Sequence, residues 1–550
     1  MEIIMNQPNP EHIVEEIRAN IRDEDLLKAH LVLNHFYEIN LNYQKKILYE
    51  LSKASSEFSV PLLHYILHKP DKNTISRPLI RDLLLSSIIS EPGLLIEQLS
   101  KSEISEKQIY IETAGELKLS AATPILIELL SRIDDPIELK LIIENLGLIG
   151  DPQAINTLTD YLYSADQDLI VTAITALGQV GTETAMKRLA GRMGTDNQLD
   201  ILILKVFAQV RDAVALGQLN EALRSHHAGM RTFAKQELTA LGPKSIPFLL
   251  DNLTDGNNDF VIHSLNILGD IGDDSAILPI RKLLDQMPKN ANVRFAAYEA
   301  LAMLPLRKGA YTLTAGLSDP EDQVCIAAAK AIDRNYSEIL SAGIKNLIRT
   351  NSEESKHICK IIIDALADNI FLSLMDVSIF TNFIESYLPK IHHDIRDHYL
   401  RLLKSKGLRD VAAKLEQGIS SGEEPDRGRI CAVDDSRMIL NIYKSTLHEI
   451  GFEPILFEFP TGALEWLKYN KPFVVFTDLN MPKMTGIELT AGIRKLYSHK
   501  ELPIIMVTTQ SDEQDHEAAF KAGVNGLLMK PFSKQSLQME IDKYVTKRAD

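Results

Sequence analysis

The sequence has few cysteines for its length, and their positions exclude two classes of protein. Only three occur among 550 residues, at Cys325, Cys359 and Cys431. They are isolated among apolar neighbours and lack the spacing of a metal site, and three cysteines are too few for a disulfide framework. We therefore expect buried free thiols in a reducing compartment.

Long apolar segments are also missing. No uninterrupted apolar run approaches the roughly 18 residues that a transmembrane helix needs, so no membrane insertion is expected. The opening residues MEIIMNQPNP lack the basic and then apolar pattern of a signal peptide. Both absences predict a cytoplasmic protein.

Basic residues are too few to favour a nucleic-acid partner. The chain has 59 basic and 75 acidic residues, a net charge of −16. Residues 429–550 carry a net charge of −1, which leaves −15 on residues 1–428. This balance argues against sequence-independent binding to DNA, RNA or an anionic membrane. It predicts instead that the N-terminal part meets a neutral or basic protein surface.

A unit of about 31 residues repeats between residues 110 and 370. NLGLIGD at 145–151, ALGQVGT at 176–182 and ILGDIGD at 267–273 are versions of one helix ending. The marker is the apolar residue before the first glycine, and its copies are Ala114, Leu146, Leu177, Phe207, Leu238, Leu268, Leu301, Ile332 and Leu366. Successive markers are 30 to 34 residues apart. A period kept over eight intervals indicates a repeat architecture.

Each unit is predicted to contain two helices. In residues 151–181 the apolar residues fall twice at the i, i+3, i+4 spacing of a helix. Gly178 and Gly181 are predicted to end the second helix, because glycine accepts the left-handed backbone of a C-cap. Helix pairs this short cannot bury their apolar faces alone, so neighbouring pairs must stack into an α-solenoid.

These units resemble the HEAT-like repeat family, and we assign the all-α solenoid to residues 110–416. Residues 1–109 are also helical by period, and form either degenerate repeats or an N-terminal cap. Residues 417–428, QGISSGEEPDRG, are polar and rich in glycine, and are predicted to be a linker.

From residue 429 to 550 the apolar period changes. Short apolar runs, ICAV, PILFEF, FVVF, PIIMV and GLLM, alternate with amphipathic helical stretches. Buried parallel strands joined by crossover helices give this pattern. The C-terminal part is therefore predicted to be a doubly wound α/β domain with a five-stranded parallel sheet, and the protein is multidomain.

Polar residues follow the predicted strands, where reactive groups collect in such sheets. They are Asp434 and Asp435, Asp478, Thr508 and Lys530. An aspartate after a strand either caps the next helix or is a reactive group at the sheet edge. Three crowded carboxylates repel one another unless a hard cation is present, and Mg²⁺ prefers oxygen ligands. A carboxylate so placed can become an aspartyl phosphate.

Residues 429–548 resemble the receiver domain of two-component response regulators, which has a flavodoxin-like fold. The matching motifs are the acidic pair at 434–435, TDLNMPKMTG around Asp478, MVTTQ at Thr508 and LLMKPF at Lys530. The resemblance implies that Asp478 accepts a phosphoryl group, while Lys530 and the Thr508 hydroxyl bind its oxygens. It also implies a Mg²⁺ site formed by Asp434, Asp435, Asp478 and the backbone carbonyl of Asn480. Leu527 departs from the family, because many receivers place an aromatic switch residue there.

The resemblance further implies a phosphohistidine donor, on a sensor histidine kinase or a phosphotransfer protein. The receiver would then catalyse only its own phosphorylation and dephosphorylation, and the solenoid would be the output module that binds an unknown protein. One alternative is a constitutive scaffold whose receiver serves as a phosphate sink or docking domain. Another is chromophore attachment, because short HEAT-like repeats also occur in bilin lyases.

A histidine cluster at residues 391–403, IHHDIRDHYLRLL, allows several interpretations. His393 with Asp397, and Asp394 with His398, are i, i+4 pairs, so with His392 they could form a metal site or a pH-sensitive pair. His393 could also accept a phosphoryl group, although no nucleotide-binding region follows. The remaining alternative is a solvated helix face. The His226–His227 pair is predicted to lie in a turn between helices.

Overall fold

The computed structural model describes residues 9–69, 76–101, 107–225, 227–306, 310–350, 352–391, 393–417, 428–481, 484–508, 513–530 and 532–545. The chain divides into two compact units, Met1–Leu216 and Gly217–Asp550. This division falls within the predicted solenoid, and the boundaries predicted at residues 109, 416 and 428 stay predictions. Most of the predicted linker, residues 418–427, lies outside the described residues.

The first unit is helical over its described residues. Its helices are α1 Pro10–Arg22, α2 Leu26–Val32, α3 Leu41–Leu51, α4 Ser56–His68, α5 Arg77–Ser90, α6 Pro92–Lys101, α7 Gln108–Glu116, α8 Thr123–Leu130, α9 Pro136–Ile149, α10 Ile155–Asp160, α11 Gln167–Val180, α12 Glu183–Arg192 and α13 Asn197–Val210. Helix α14, Ala213–Glu221, spans the division between the units.

The second unit begins with further helical repeats. Its helices before the sheet are α15 Ala228–Leu241, α16 Ile246–Asn252, α17 Asn258–Ile271, α18 Ile277–Asp285, α19 Ala291–Met303, α20 Asp322–Arg334, α21 Glu338–Ile348, α22 Glu353–Asp364, α23 Asp368–Ser373, α24 Ser378–Tyr387, α25 His393–Ser405 and α26 Arg409–Gln417. The prediction of a helical N-terminal region is confirmed. No helix of the described residues is long and apolar enough to cross a membrane.

The repeat marker is a buried position in the second helix of each unit. Ala114, Leu146, Leu177 and Phe207 have no exposed surface. Four residues after each of them the backbone is left-handed, at Lys118, Gly150, Gly181 and Arg211, with φ between 50° and 75°. The last marker was misplaced: Leu366 has φ of 52°, so it holds the left-handed position, and the buried Ile362 is the marker.

The two glycines of each LGxxG motif have different tasks, which corrects the prediction that both end the helix. Gly181 is the left-handed C-cap of α11, whereas Gly178 lies inside that helix. A Cβ on Gly178 would lie 2.6 Å from Val206 Cγ1, and one on Gly147 would lie 2.6 Å from Ala176 Cα. The first glycine therefore lets the second helices of neighbouring repeats pack closely.

The C-terminal part is a five-stranded sheet with helices between the strands. Its elements are β1 Arg429–Val433, α27 Arg437–Glu449, β2 Glu453–Phe457, α28 Pro460–Leu467, β3 Val475–Asp478, α29 Gly486–Arg494, β4 Ile504–Thr508, α30 Glu513–Ala522, β5 Gly526–Met529 and α31 Lys534–Val545. The strand order is β2-β1-β3-β4-β5 and every pair is parallel. The predicted five-stranded parallel sheet is confirmed. Cys431 is buried in this sheet, and Cys325 and Cys359 are buried free thiols among the helices.

Candidate functional site

The parallel sheet brings the predicted site residues to one edge. Strand β3 lies between β1 and β4, and β4 pairs with β5. Asp434 therefore follows β1 at the edge where Asp478 ends β3 and Thr508 ends β4. Lys530 directly follows β5, and its backbone N–H donates to the Thr508 carbonyl at 2.8 Å.

Lys530 joins two of the carboxylates. Its Nζ donates to Asp434 Oδ2 at 2.5 Å and to Asp478 Oδ1 at 2.8 Å. All three side chains are buried, and Asp434 has no exposed surface. Charge-assisted hydrogen bonds of this kind are stronger than neutral ones. The lysine therefore fixes the relative position of the two aspartates.

Burial and crowding shift the ionisation of the site. Burial, with the neighbouring Asp478 and Asp435 carboxylates, raises the pKa of Asp434 against the opposing effect of Lys530. Burial also raises the pKa of Asp435. Although burial alone lowers the pKa of Lys530, Asp434 and Asp478 raise it well above its usual value. The site thus holds excess negative charge that a further cation would relieve.

Asp478 does not cap the following helix. Thr485 caps α29: its Oγ1 accepts from the Glu488 N–H at 3.2 Å, and its own N–H donates to Glu488 Oε2 at 2.8 Å. This reciprocal arrangement is a complete capping box. The helix-cap interpretation of Asp478 is therefore wrong, and its carboxylate contacts Lys530 instead.

The oxygen atoms around Asp478 suit a hard cation, but they do not form a ready-made cage. Asn480 Oδ1 is buried and accepts no hydrogen bond from the described residues. Among those residues no group of three or more His, Cys, Asp or Glu side chains is arranged to hold a metal ion. The reason is that Asp434 and Asp478 both turn to Lys530. Since Mg²⁺ keeps several waters and needs only one or two carboxylates, the donor set still fits it.

Helical repeats of the same unit contribute residues that the sequence analysis did not find. Ser436 Oγ donates to Glu299 Oε1 at 2.6 Å, and Gln323 Nε2 donates to the Phe532 carbonyl at 2.8 Å. Lys235 lines the same small cavity as the site aspartates. These residues lie far from the receiver motifs in sequence, and no local pattern marks them.

One histidine of the cluster has a contact that the sequence did not predict. His398 Nε2 lies 2.8 Å from Asp368 Oδ1 of α23. The His393 side chain is exposed, and its ring centroid lies 5.8 Å from that of His448. His392, the Asp394 side chain and His226 lie outside the described residues. His398 is thus a contact between two helices.

Comparisons with known proteins agree with this geometry. The sequence model of the response regulator receiver domain matches residues 430–542. The chemotaxis protein CheY1 of Helicobacter pylori strain 26695 is 38% identical over 117 residues, which cover 21% of this chain and 94% of that protein. The chain belongs to the response regulator receiver family. Its receiver follows HEAT repeats, whose model matches residues 123–202 and 246–333.

Solved receiver structures are also similar to the C-terminal part. CheY4 of Vibrio cholerae is 30% identical and covers 21% of this chain and 97% of its own, with a TM-score of 0.21. The receiver domain of the sensor histidine kinase PA1611 from Pseudomonas aeruginosa PAO1, solved with magnesium in its active-site cleft, is 24% identical. It covers 22% of this chain and 98% of its own, with a TM-score of 0.21.

Proposed function

We propose that Asp478 accepts a phosphoryl group from a phosphohistidine on a sensor kinase or phosphotransfer protein. The observation that carries this proposal is the placement of Lys530 Nζ between Asp434 and Asp478 at the carboxyl edge of the sheet. The ammonium group lies 2.8 Å from Asp478 Oδ1, where it can also bind an oxygen of a phosphoryl group placed on that carboxylate, and carboxylates act as nucleophiles in such transfers.

The transfer follows from these positions. An oxygen of Asp478 attacks the phosphorus, the phosphorus–nitrogen bond to the donor imidazole breaks, and the leaving nitrogen takes up a proton. Charge is then spread over three phosphoryl oxygens. Lys530 already contacts the carboxylate that carries the phosphoryl group, so it can bind one of those oxygens. We assign a second oxygen to the hydroxyl of Thr508, at the end of the adjacent strand.

We assign Mg²⁺ to oxygen ligands of the same edge. The ligands would be Asp434, Asp435, Asp478 and the backbone carbonyl of Asn480. When bound, the ion supplies positive charge that offsets the charge on the transferring phosphoryl group. The three crowded carboxylates and Asn480 line one cavity, which supports this assignment.

The output in this proposal is the helical repeat region, acting as a protein-binding module. The repeats contact two of the receiver loops that carry site residues, at Ser436 and at Phe532. A change in the charge or position of these loops therefore alters their hydrogen bonds to the repeats. The unknown partner and the donor protein are parts of the proposal that need separate experiments.

Acetyl phosphate with Mg²⁺, followed by intact-mass measurement of the full chain, tests the acceptor. Wild type and an Asp542→Asn control, altered at an exposed carboxylate of α31, should gain one phosphoryl group. Asp478→Asn should gain none, and neither should wild type in a metal chelator. Equal phosphorylation of wild type and Asp478→Asn would refute the assignment.

A further inference from the structure

Two hydrogen bonds attach the helical repeats to the loops of the acceptor site. Ser436 follows directly on the acidic pair, and its Oγ–H donates to Glu299 Oε1 of α19 at 2.6 Å. Its N–H also donates to Asp434 Oδ1 at 2.9 Å. Phe532, whose carbonyl accepts from Gln323 of α20, lies two residues after Lys530. The site loops that follow β1 and β5 are therefore held by the repeats.

A lysine of the repeats lies beside the site carboxylates. Lys235 belongs to α15, its Nζ lies 3.7 Å from Asp270 Oδ2, and its side chain is only 30% exposed. A cavity of about 80 Å³ has Lys235 and Glu299 in its wall together with site residues Asp434, Asp435, Asp478, Asn480 and Lys530. The wall of this cavity therefore contains two lysines, Lys235 from the repeats and Lys530 from the receiver.

The surroundings keep Lys235 charged. Burial alone lowers its pKa, but the carboxylates of Asp435, Asp270, Asp478 and Glu299 raise it above the usual value. Lys235 and Asp435 also lie together in the walls of three neighbouring cavities, so the lysine is beside this carboxylate. The lysine therefore supplies positive charge to Asp435 from another domain of the unit.

We propose that the repeats cover the phosphoacceptor site and that Lys235 competes with Mg²⁺ for the charge of Asp435. This inference rests on the proposed function, because it concerns the same carboxylates. Two cations beside one carboxylate repel each other, so bound Mg²⁺ and the ammonium group of Lys235 oppose each other at Asp435. Loading the site with Mg²⁺ should therefore weaken the contact of the repeats with the receiver.

Linkage makes the competition measurable. If Mg²⁺ weakens the contact of the repeats with the receiver, then that contact must weaken Mg²⁺ binding by the same factor. The cover is built from the second helices of four successive repeats, α15, α17, α19 and α20. Phosphorylation would thus free a face of the repeats that the unphosphorylated protein keeps occupied.

Calorimetric titration of the full chain with MgCl₂ tests the competition. Lys235→Met keeps the aliphatic stem but removes the charge, and should bind Mg²⁺ at least about fivefold more tightly than wild type, the lower end of typical coupling between sites. Lys235→Arg should bind like wild type. The control Lys282→Met, at an exposed lysine of α18, should also bind like wild type.

The outcomes separate this inference from the proposed function. Lys235→Met could bind Mg²⁺ no more tightly than wild type while wild type is still phosphorylated at Asp478. That result would refute the competition between Lys235 and Mg²⁺ and leave the acceptor assignment intact. Absence of Mg²⁺ binding in every variant overturns both. If Lys235→Met does not fold, hydrogen exchange of the wild-type amides tests the proposal instead. The amides of α15 and α19 should exchange faster when Mg²⁺ is added. Unchanged exchange would refute the proposal that Mg²⁺ weakens the contact of the repeats with the receiver.

Discussion

Replacing Gly486 by alanine tests how tightly the backbone packs behind Asp478. Gly486 is the first residue of α29, and its N–H donates to the Leu479 carbonyl at 2.9 Å. A Cβ at this position would lie 2.1 Å from the Asp478 carbonyl oxygen and 3.2 Å from Leu479 Cα. Both are backbone atoms, so no side-chain rotation relieves the overlap. The loop that carries Asp478 would have to move.

The cost can be worked out from these distances. Ordinary contacts of a Cβ begin at about 3.4 Å, so the carbonyl must retreat by more than an ångström. Overpacking of this kind costs roughly 1–3 kcal/mol, and loss of the 2.9 Å hydrogen bond adds about 1 kcal/mol. Alanine favours the helix over glycine by at most about 1 kcal/mol, which offsets part of this loss of stability. We expect a net loss of about 1–3 kcal/mol in the free energy of unfolding of the receiver.

Gly462→Ala is the matched control, because Gly462 also lies in the first turn of a receiver helix, α28. Its nearest atom, Phe457 Cδ1, is 3.5 Å from the added Cβ, which is ordinary contact. This variant should unfold like wild type or be more stable by up to about 1 kcal/mol.

The single tryptophan provides the assay. Trp466 is the only one in the sequence, and its ring centroid lies 5.8 Å from that of Phe457 in the receiver. Its fluorescence in urea therefore follows receiver unfolding even though the chain has several domains. With a urea slope of about 1.5 kcal/mol per molar, Gly486→Ala should lower the midpoint by about 0.7–2 M. Equal midpoints for the two alanine variants would refute the reasoning.

Two further predictions concern the helical repeats. Arg294 donates to both carboxylate oxygens of the buried Asp319, at 2.7 and 2.8 Å, so Arg294→Met leaves an unpaired buried charge and should cost about 3–5 kcal/mol. Circular dichroism in urea checks this, and an unchanged transition would contradict it. Burial raises the pKa of Asp364 from 3.8 to about 7. The folded state therefore binds the proton more tightly than the unfolded state does, and stability falls as the pH rises from about 4 to 7. Asp364→Asn should remove this fall. Its free energy of unfolding should exceed that of wild type by up to about 4 kcal/mol at pH 8 and by almost nothing at pH 4. An increase of equal size at both pH values would show that charge is not the cause.

Much of the architecture could be predicted because its causes are local. The marker leucines recur at a fixed period, and each is buried because its helix has one apolar face. The site residues follow strands, and parallel strands end at a common edge. Asp434, Asp478 and Lys530 could therefore be placed together without any knowledge of distances.

The remaining features depend on contacts between distant segments. Gly178 follows the same motif as a helix-ending glycine, yet its task depends on Val206 of the next repeat. Glu299 meets Ser436 across 137 residues of sequence. Lys235 looks like any lysine of a solvated helix face, since nothing in its own helix shows that it lies beside receiver carboxylates. Only the packing of the repeats against the receiver reveals these tasks.

The most direct measurement is to locate the phosphoryl group on the chain. After treatment with acetyl phosphate and Mg²⁺, borohydride reduction converts an aspartyl phosphate to homoserine, which peptide mass mapping detects. The structure predicts homoserine at position 478 alone, where the carboxylate is held by Lys530. Homoserine at position 434 or 435 instead, or phosphorylation that leaves position 478 unchanged, would contradict the assignment of Asp478 as the acceptor.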